Sequence, residues 1–187
     1  ERILGPDSLN VSSTHNSLGN LLRDLGDYSG ALREYERSLA IREKKIGPEN
    51  TDIAKSLANI AIVTSLLGDD LKALELHRRA LAIFEKNEGP DHPDVAAMQI
   101  NTALVEKNLG EIESARERYE RARAIYERAS GPDSANVARV LGDAALLQRE
   151  GLLYANDGDW VESLTALSEE ADGSLCLLAH TGQVLSH

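Results

Sequence analysis

Five histidines and one cysteine are the residues of this 187-residue chain best suited to hold a metal or attack a substrate. Zinc ligands cluster at short, fixed spacings, and His15, His77, His92, His180 and His187 are too scattered to form a site from spacing alone. His92, between Asp91 and Pro93, reads as a helix start, and His77 falls on the apolar face of a helix. Cys176 could meet His180 four residues later, but no nucleophile motif surrounds it. No phosphate loop, dinucleotide fingerprint or pair of catalytic carboxylates stands out. The chemistry these residues do offer is amide recognition. Asn16, Asn20, Asn59 and Asn101 lie in helical stretches where asparagine is a poor helix former. A side-chain amide donates and accepts at once, which suits the backbone of an extended peptide. The sequence therefore predicts no enzyme, no metal and no cofactor within these residues.

The elements that position the asparagines are set by a repeat. Gly5-Pro6, Gly47-Pro48, Gly89-Pro90 and Gly131-Pro132 follow one another at intervals of 42 residues, with no insertion or deletion between them. A fixed period of this length marks a solenoid, in which stacked units bury a core that none could make alone. The second period is clearest. Asn50-Thr51-Asp52 supplies a helix N-cap, and Ile53, Leu57, Ile60, Ala61 and Thr64 follow at helical spacing. Gly68 ends that helix and Asp69 caps the next, which carries Ala73, His77, Ala80, Leu81 and Phe84 on one face and stops before Gly89-Pro90. Each unit is thus a pair of antiparallel helices. Gly26, Gly68 and Gly110 recur at the inner turn, and Ala31, Ala73 and Ala115 near the start of the second helix. Arg37, Arg79 and Arg121 recur with Glu43, Glu85 and Glu127, as a solvated face with intrahelical or inter-repeat pairs.

Composition agrees: one Trp, one Phe and five Tyr are few aromatics for a sandwich or barrel. A net charge of −11 disfavours nonspecific binding to nucleic acid or an anionic membrane. No apolar run approaches a membrane span, and a lone cysteine fits a reducing compartment, so a cytoplasmic location is expected. With Glu1 first and Met98 the only methionine, the chain reads as a piece of a longer protein.

The first unit carries Leu18-Gly19, Gly26, Tyr28, Ala31, Tyr35 and Leu39, and Gly89 to Ala96 reads Gly-Pro-Asp-His-Pro-Asp-Val-Ala. These residues resemble the tetratricopeptide repeat (TPR), in the 42-residue variety of kinesin light chains. The resemblance implies an all-α, right-handed α-solenoid over about residues 1–150, with full repeats at 5–46, 47–88 and 89–130 and the first helix of a fourth. Asp70 and His77 stand where aromatics are expected, and Arg123 where a leucine is. After Leu152, which replaces the next turn glycine, register fails; 151–187 reads as a degenerate repeat, cap or irregular tail. Val161–Ala171 would make a shortened second helix, and Gly173 to His187, with short apolar runs around Thr181-Gly182, reads either as a hairpin or as disordered.

In such stacks the first helices line a concave groove. The groove residues predicted here are Asn16, Asn20, Arg23, Lys55, Asn59, Ile62, Asn101, Leu104 and Lys107, with Ile100 as a further apolar contact. The asparagines either grip a peptide, or are solvated surface residues or help inter-repeat packing. Arg23, Lys55 and Lys107 suggest a ligand of some acidic character. Repeats that clamp chaperone C-termini use basic residues where Asn16 and Asn101 stand, and Asn where Ile62 stands, which disfavours that ligand. The expected function is a protein-interaction scaffold binding a peptide or helix of a partner, like the kinesin-light-chain adaptors. The alternative is a sensor or oligomerisation arm of a larger signalling protein.

Overall fold

The computed structural model describes residues 8–155, 165–169 and 175–179. Seven helices run in order: α1 (Leu9–Asp24), α2 (Tyr28–Ile46), α3 (Thr51–Leu66), α4 (Asp70–Glu88), α5 (Pro93–Asn108), α6 (Ile112–Ser130) and α7 (Ala135–Ala155). Helices of 16 and 19 residues alternate through α6, as the period requires. α1 packs on α2, α3 on α4 and α5 on α6, and α2–α3 and α4–α5 contacts join successive pairs.

Capping explains why each helix starts where it does. Ser8, Asn50, His92 and Ser134 stand 42 residues apart, and each side chain accepts a backbone N–H from the first turn of the helix it precedes. In His92 the acceptor is Nδ1, 3.2 Å from the Asp94 nitrogen, so this histidine is a cap. Asp27 and Asp69 cap α2 and α4 in the same way, whereas Glu111, one methylene longer, makes no such bond to α6.

The two kinds of turn end differently. At the inner turn of the second pair, Asp69 N–H bonds Thr64 O and Gly68 N–H bonds Ser65 O, a Schellman motif with Gly68 at φ +91°. At the outer joint Gly89 has φ 90° and ψ 158°, a region open essentially to glycine, with the extended ψ that a following proline demands. A Cβ on Gly89 would meet nothing within 4 Å, so the conformation alone decides. Gly89→Ala is expected to cost about 1–3 kcal/mol, read from the shift in a denaturant unfolding curve.

The core is small-to-large packing repeated. Ala31, Ala73 and Ala115 are fully buried, letting each second helix approach its partner closely. Tyr35 lies against Gly19, where any Cβ would come within 2.6 Å of the ring. On the outside, Arg79 pairs with Glu43 at 2.9 Å and Arg121 with Glu85 at 2.6 Å; Lys86 pairs with Glu49 and Arg128 with Asp91. The Arg–Glu pairs therefore form a ladder that steps from one repeat to the next, each rung worth about 0.2–1 kcal/mol, while a second ladder, Lys86–Glu49 and Arg128–Asp91, ties the loop that opens each repeat to that repeat's own second helix. Asp70, the departure from an aromatic, accepts from Ser65 Oγ and, at 3.5 Å, from Asn108 Nδ2 of the following repeat. Arg123 is exposed and pairs with Glu127 one turn on.

The chain divides into two compact units between Leu147 and Gln148. α7 has 21 residues and passes straight through Leu152, because the glycine that stops the other first helices is missing there. In the second unit, β1 (Thr165–Glu169) pairs antiparallel with β2 (Leu175–Ala179), Leu167 opposite Leu177. A strand thus stands where a shortened helix over 161–171 was expected. Asp172-Gly173, a strong hairpin dipeptide lying between the two strands in sequence, is the signal that was available for it. Gly158-Asp159-Trp160, His180, Thr181-Gly182 and Gln183–Leu185 lie outside the described residues.

Candidate functional site: a cleft between first helices

α3 and α5 are neighbouring first helices, and between them opens a cleft of about 190 Å³. Of the predicted groove residues it gathers Lys55, Asn59, Ile62 and Asn101; Ala58 and Ala97 are among the apolar side chains that join them. Lys55 is exposed, and Asn59, Ile62 and Asn101 are half-buried, one amide from each helix flanking an apolar floor. Asp94 lines the same cleft, so Lys55 does not face it alone.

The other predicted residues are placed differently. Asn16 Oδ1 accepts from Asn59 Nδ2 at 3.2 Å, linking the first repeat to the second. Asn20 Oδ1 accepts from the Tyr35 hydroxyl at 2.7 Å; burial raises the pKa of that phenol and keeps it a donor. Arg23 reaches Asp24 through Nε and a terminal nitrogen, at 3.2 and 3.0 Å. Leu104 is exposed and Lys107 half-buried on α5. Ile100 offers no groove contact: it is buried in the core, because α5 packs on both α4 and α6 and little of its circumference is left free.

The family model described as tetratricopeptide repeat matches residues 1–44, 52–128 and 94–151. The chain belongs to the tetratricopeptide repeat family. No curated protein sequence matches this TPR chain. Among solved structures it is similar to nearly identical TPR-like repeats assigned to a kinesin light chain of Podosopora anserina, at 21% identity and TM-score 0.69, over 81% of this chain and 72% of that one. It is also similar to the Sgt2 TPR domain from Aspergillus fumigatus, at 20% identity and TM-score 0.58, over 89% and 97%. A third is the first TPR of Spaghetti (RPAP3), bound to the HSP90 peptide SRMEEVD, at 15% identity and TM-score 0.55, over 76% and 94%.

Two polar clusters inside the TPR core escape a pattern reading. The carboxylate of Glu106, fully buried on α5, is held by Arg118 Nε at 2.7 Å, with Arg78 of the preceding repeat 3.7 Å from its other oxygen. Arg118 also donates to Gln99 at 2.9 Å. One period earlier the Gln99 and Arg118 positions hold Leu57 and Leu76; two periods earlier they hold His15 and Glu34, 2.6 Å apart. In the second cluster Arg42 occupies the slot of Phe84 and Tyr126 and donates to the hydroxyls of Ser12 and Ser56. Reading along the sequence at intervals of 42 is the signal that finds both. His77 fills the slot of Tyr35 and Tyr119, buried, with Nδ1 lacking a hydrogen-bond partner. Among the described residues no group of three His, Cys, Asp or Glu is placed to hold a metal, and no helix is long and apolar enough to cross a membrane.

Proposed function

We propose that this TPR array is a protein-interaction scaffold whose α3–α5 cleft holds an extended segment of a partner protein. The observation that carries the reading is the cleft itself, where Asn59 and Asn101, 42 residues apart, border an apolar floor containing Ile62. Each amide grips the peptide backbone, Ile62 seats an apolar side chain, and Lys55 favours an acidic one nearby. TPR domains similar in fold support a peptide ligand, one of them having been solved with the HSP90 peptide SRMEEVD. That same peptide is not the one proposed here, because Asn16, Ile62 and Asn101 replace the side chains a carboxylate clamp requires. A cargo-adaptor role like that of kinesin light chains is the narrower form of the proposal, supported by the shared 42-residue period. The protein acts by binding alone, without a cofactor, in the cytoplasm.

Pull-down with the array followed by peptide-array mapping supplies the ligand. Against that peptide, Asn101→Ala is expected to weaken binding by about tenfold, one lost hydrogen bond, with helicity and melting temperature nearly unchanged. Asn59→Ala does the same and also frees Asn16. Unchanged affinity in both variants would remove the cleft from the proposal.

A further inference from the structure

The α3–α5 cleft has a counterpart one period earlier, where α1 meets α3, and its chemistry is the opposite. Phe84, Ala97, Met98 and Ala58 line the α3–α5 cleft; 42 residues earlier stand Arg42, Lys55, Ser56 and Asn16. Helix α3 is the shared wall, since Asn59 lines the apolar cleft and also donates to Asn16 at 3.2 Å. Small hydroxyls make room for the arginine: Ser12 and Ser38 stand where the later repeats have Ala54, Ala80, Ala96 and Ala122. Arg42 Nε donates to Ser12 Oγ at 2.9 Å, and Nη1 to Ser56 Oγ at 2.7 Å and Asp52 O at 3.3 Å. These acceptors are neutral, and Nη2 has none among the described residues. Three arginines there are half-buried. Arg23 has Asp24 and Arg118 has Glu106, but no carboxylate pairs with Arg42. A partly desolvated cation is ordinarily matched by an anion, and this one is not. Lys55 is exposed and also has no carboxylate partner among the described residues, and Asp52, the counterpart of Asp94, pairs with neither cation. The place thus carries a net positive charge in a chain whose total is −11.

We propose that this α1–α3 site binds a phosphorylated serine or threonine side chain, carried by the same extended segment that occupies the α3–α5 cleft; in that respect it rests on the peptide-binding role of the cleft. The state of the guanidinium selects phosphate over carboxylate. With Nε and Nη1 already engaged, Arg42 no longer offers a free fork to a planar carboxylate and donates through Nη2 alone. A phosphate has three acceptor oxygens and nearly two charges, so it takes single bonds from several directions and answers both Arg42 and Lys55. The amides of Asn16 and Asn59 supply the neutral donors beside them.

The test titrates N-acetyl-phosphoserine amide and N-acetyl-glutamic acid amide into the full chain, following the Arg42 Nε–H and Asn59 side-chain amide signals by NMR. The phosphoserine compound is expected to shift both signals saturably, with an affinity about tenfold above that of the glutamate compound. Lys55→Gln, at an exposed position, should lower the phosphoserine affinity by about tenfold. Ser12→Ala, Ser38→Ala, Arg42→Phe and Ser56→Met together rewrite the site in the chemistry of the second and third repeats, and should abolish the response of Asn59 while keeping the helicity. Asn101→Ala, confined to the α3–α5 cleft, should leave the response intact, so that a failure of peptide binding there is distinguishable from a failure of phosphate binding here. No saturable shift, equal affinities for the two compounds, an affinity indifferent to Lys55→Gln, or a response that survives the four substitutions overturns the proposal.

Discussion

Arg118→Ala is expected to destabilise the array by about 3–5 kcal/mol, far more than the loss of any surface rung. The reason is the group left behind. Glu106 has no exposure, and with Arg118 gone its carboxylate keeps only Arg78 at 3.7 Å while Gln99 loses its guanidinium donor. A buried charge without its partner carries its desolvation cost uncompensated. The protein contains its own control, because the second repeat solves the same packing problem with Leu57, Thr64 and Leu76. Gln99→Leu, Glu106→Thr and Arg118→Leu together rewrite the third repeat in that chemistry. The triple variant is expected to be near neutral or stabilising, since well-packed apolar side chains commonly match a buried ion pair. Denaturant unfolding followed by circular dichroism measures both. A single variant that loses less than about 1 kcal/mol would show that Glu106 finds water or Arg78 sufficient.

Acid exposes the second weakness. Burial lowers the pKa of His77 from 6.5 to about 4. The unfolded chain, with the ordinary value, therefore takes up the proton first, and stability rises with pH through this window. The His77 contribution is complete above about pH 6.5 and is lost progressively as pH falls towards 4. At about pH 4.5 the loss amounts to about 2–3 kcal/mol. His77→Phe, an aromatic of the kind found at Tyr35 and Tyr119, removes the titration. Its stability should match the parent near neutral pH and exceed it by that amount in acid, carboxylate effects being common to both. Parallel curves across the window would show that His77 does not titrate on unfolding.

Much of this architecture was legible because repetition multiplies weak signals. One glycine before one proline means little. The same pair at four points 42 residues apart fixes the joints, and the intervening Gly26, Gly68 and Gly110 fix the inner turns. Side-chain environment was less legible. Gln99, Glu106 and Arg118 are ordinary on a helix surface, and only the packing of α5 between two other helices puts the first two inside. Ile100 was misassigned for the same reason, since a helix enclosed on several sides has no clean apolar stripe. The cleft brings together only part of the predicted groove, because Asn20 and Arg23 have partners within their own repeat. Beyond Leu152 the period is lost, and with it the comparison that made the rest readable; β1 was taken for a helix there.

The two charge ladders have a consequence for how the chain keeps its order. Arg79 and Arg121 see the same glutamate in the same position, and so do Lys86 and Arg128 with their carboxylates. The joints are therefore interchangeable. Deleting residues 47–88 in frame would bring Glu43 to Arg121 at the spacing each already uses and leave Arg128 with its own Asp91. Whole repeats could be lost or gained without mending a single contact on that face, and two chains could exchange repeats through the same rungs. What prevents shuffling is covalent connection, together with interiors filled differently at equivalent places: Arg42 among serines, His77 alone, and Glu106 between two arginines.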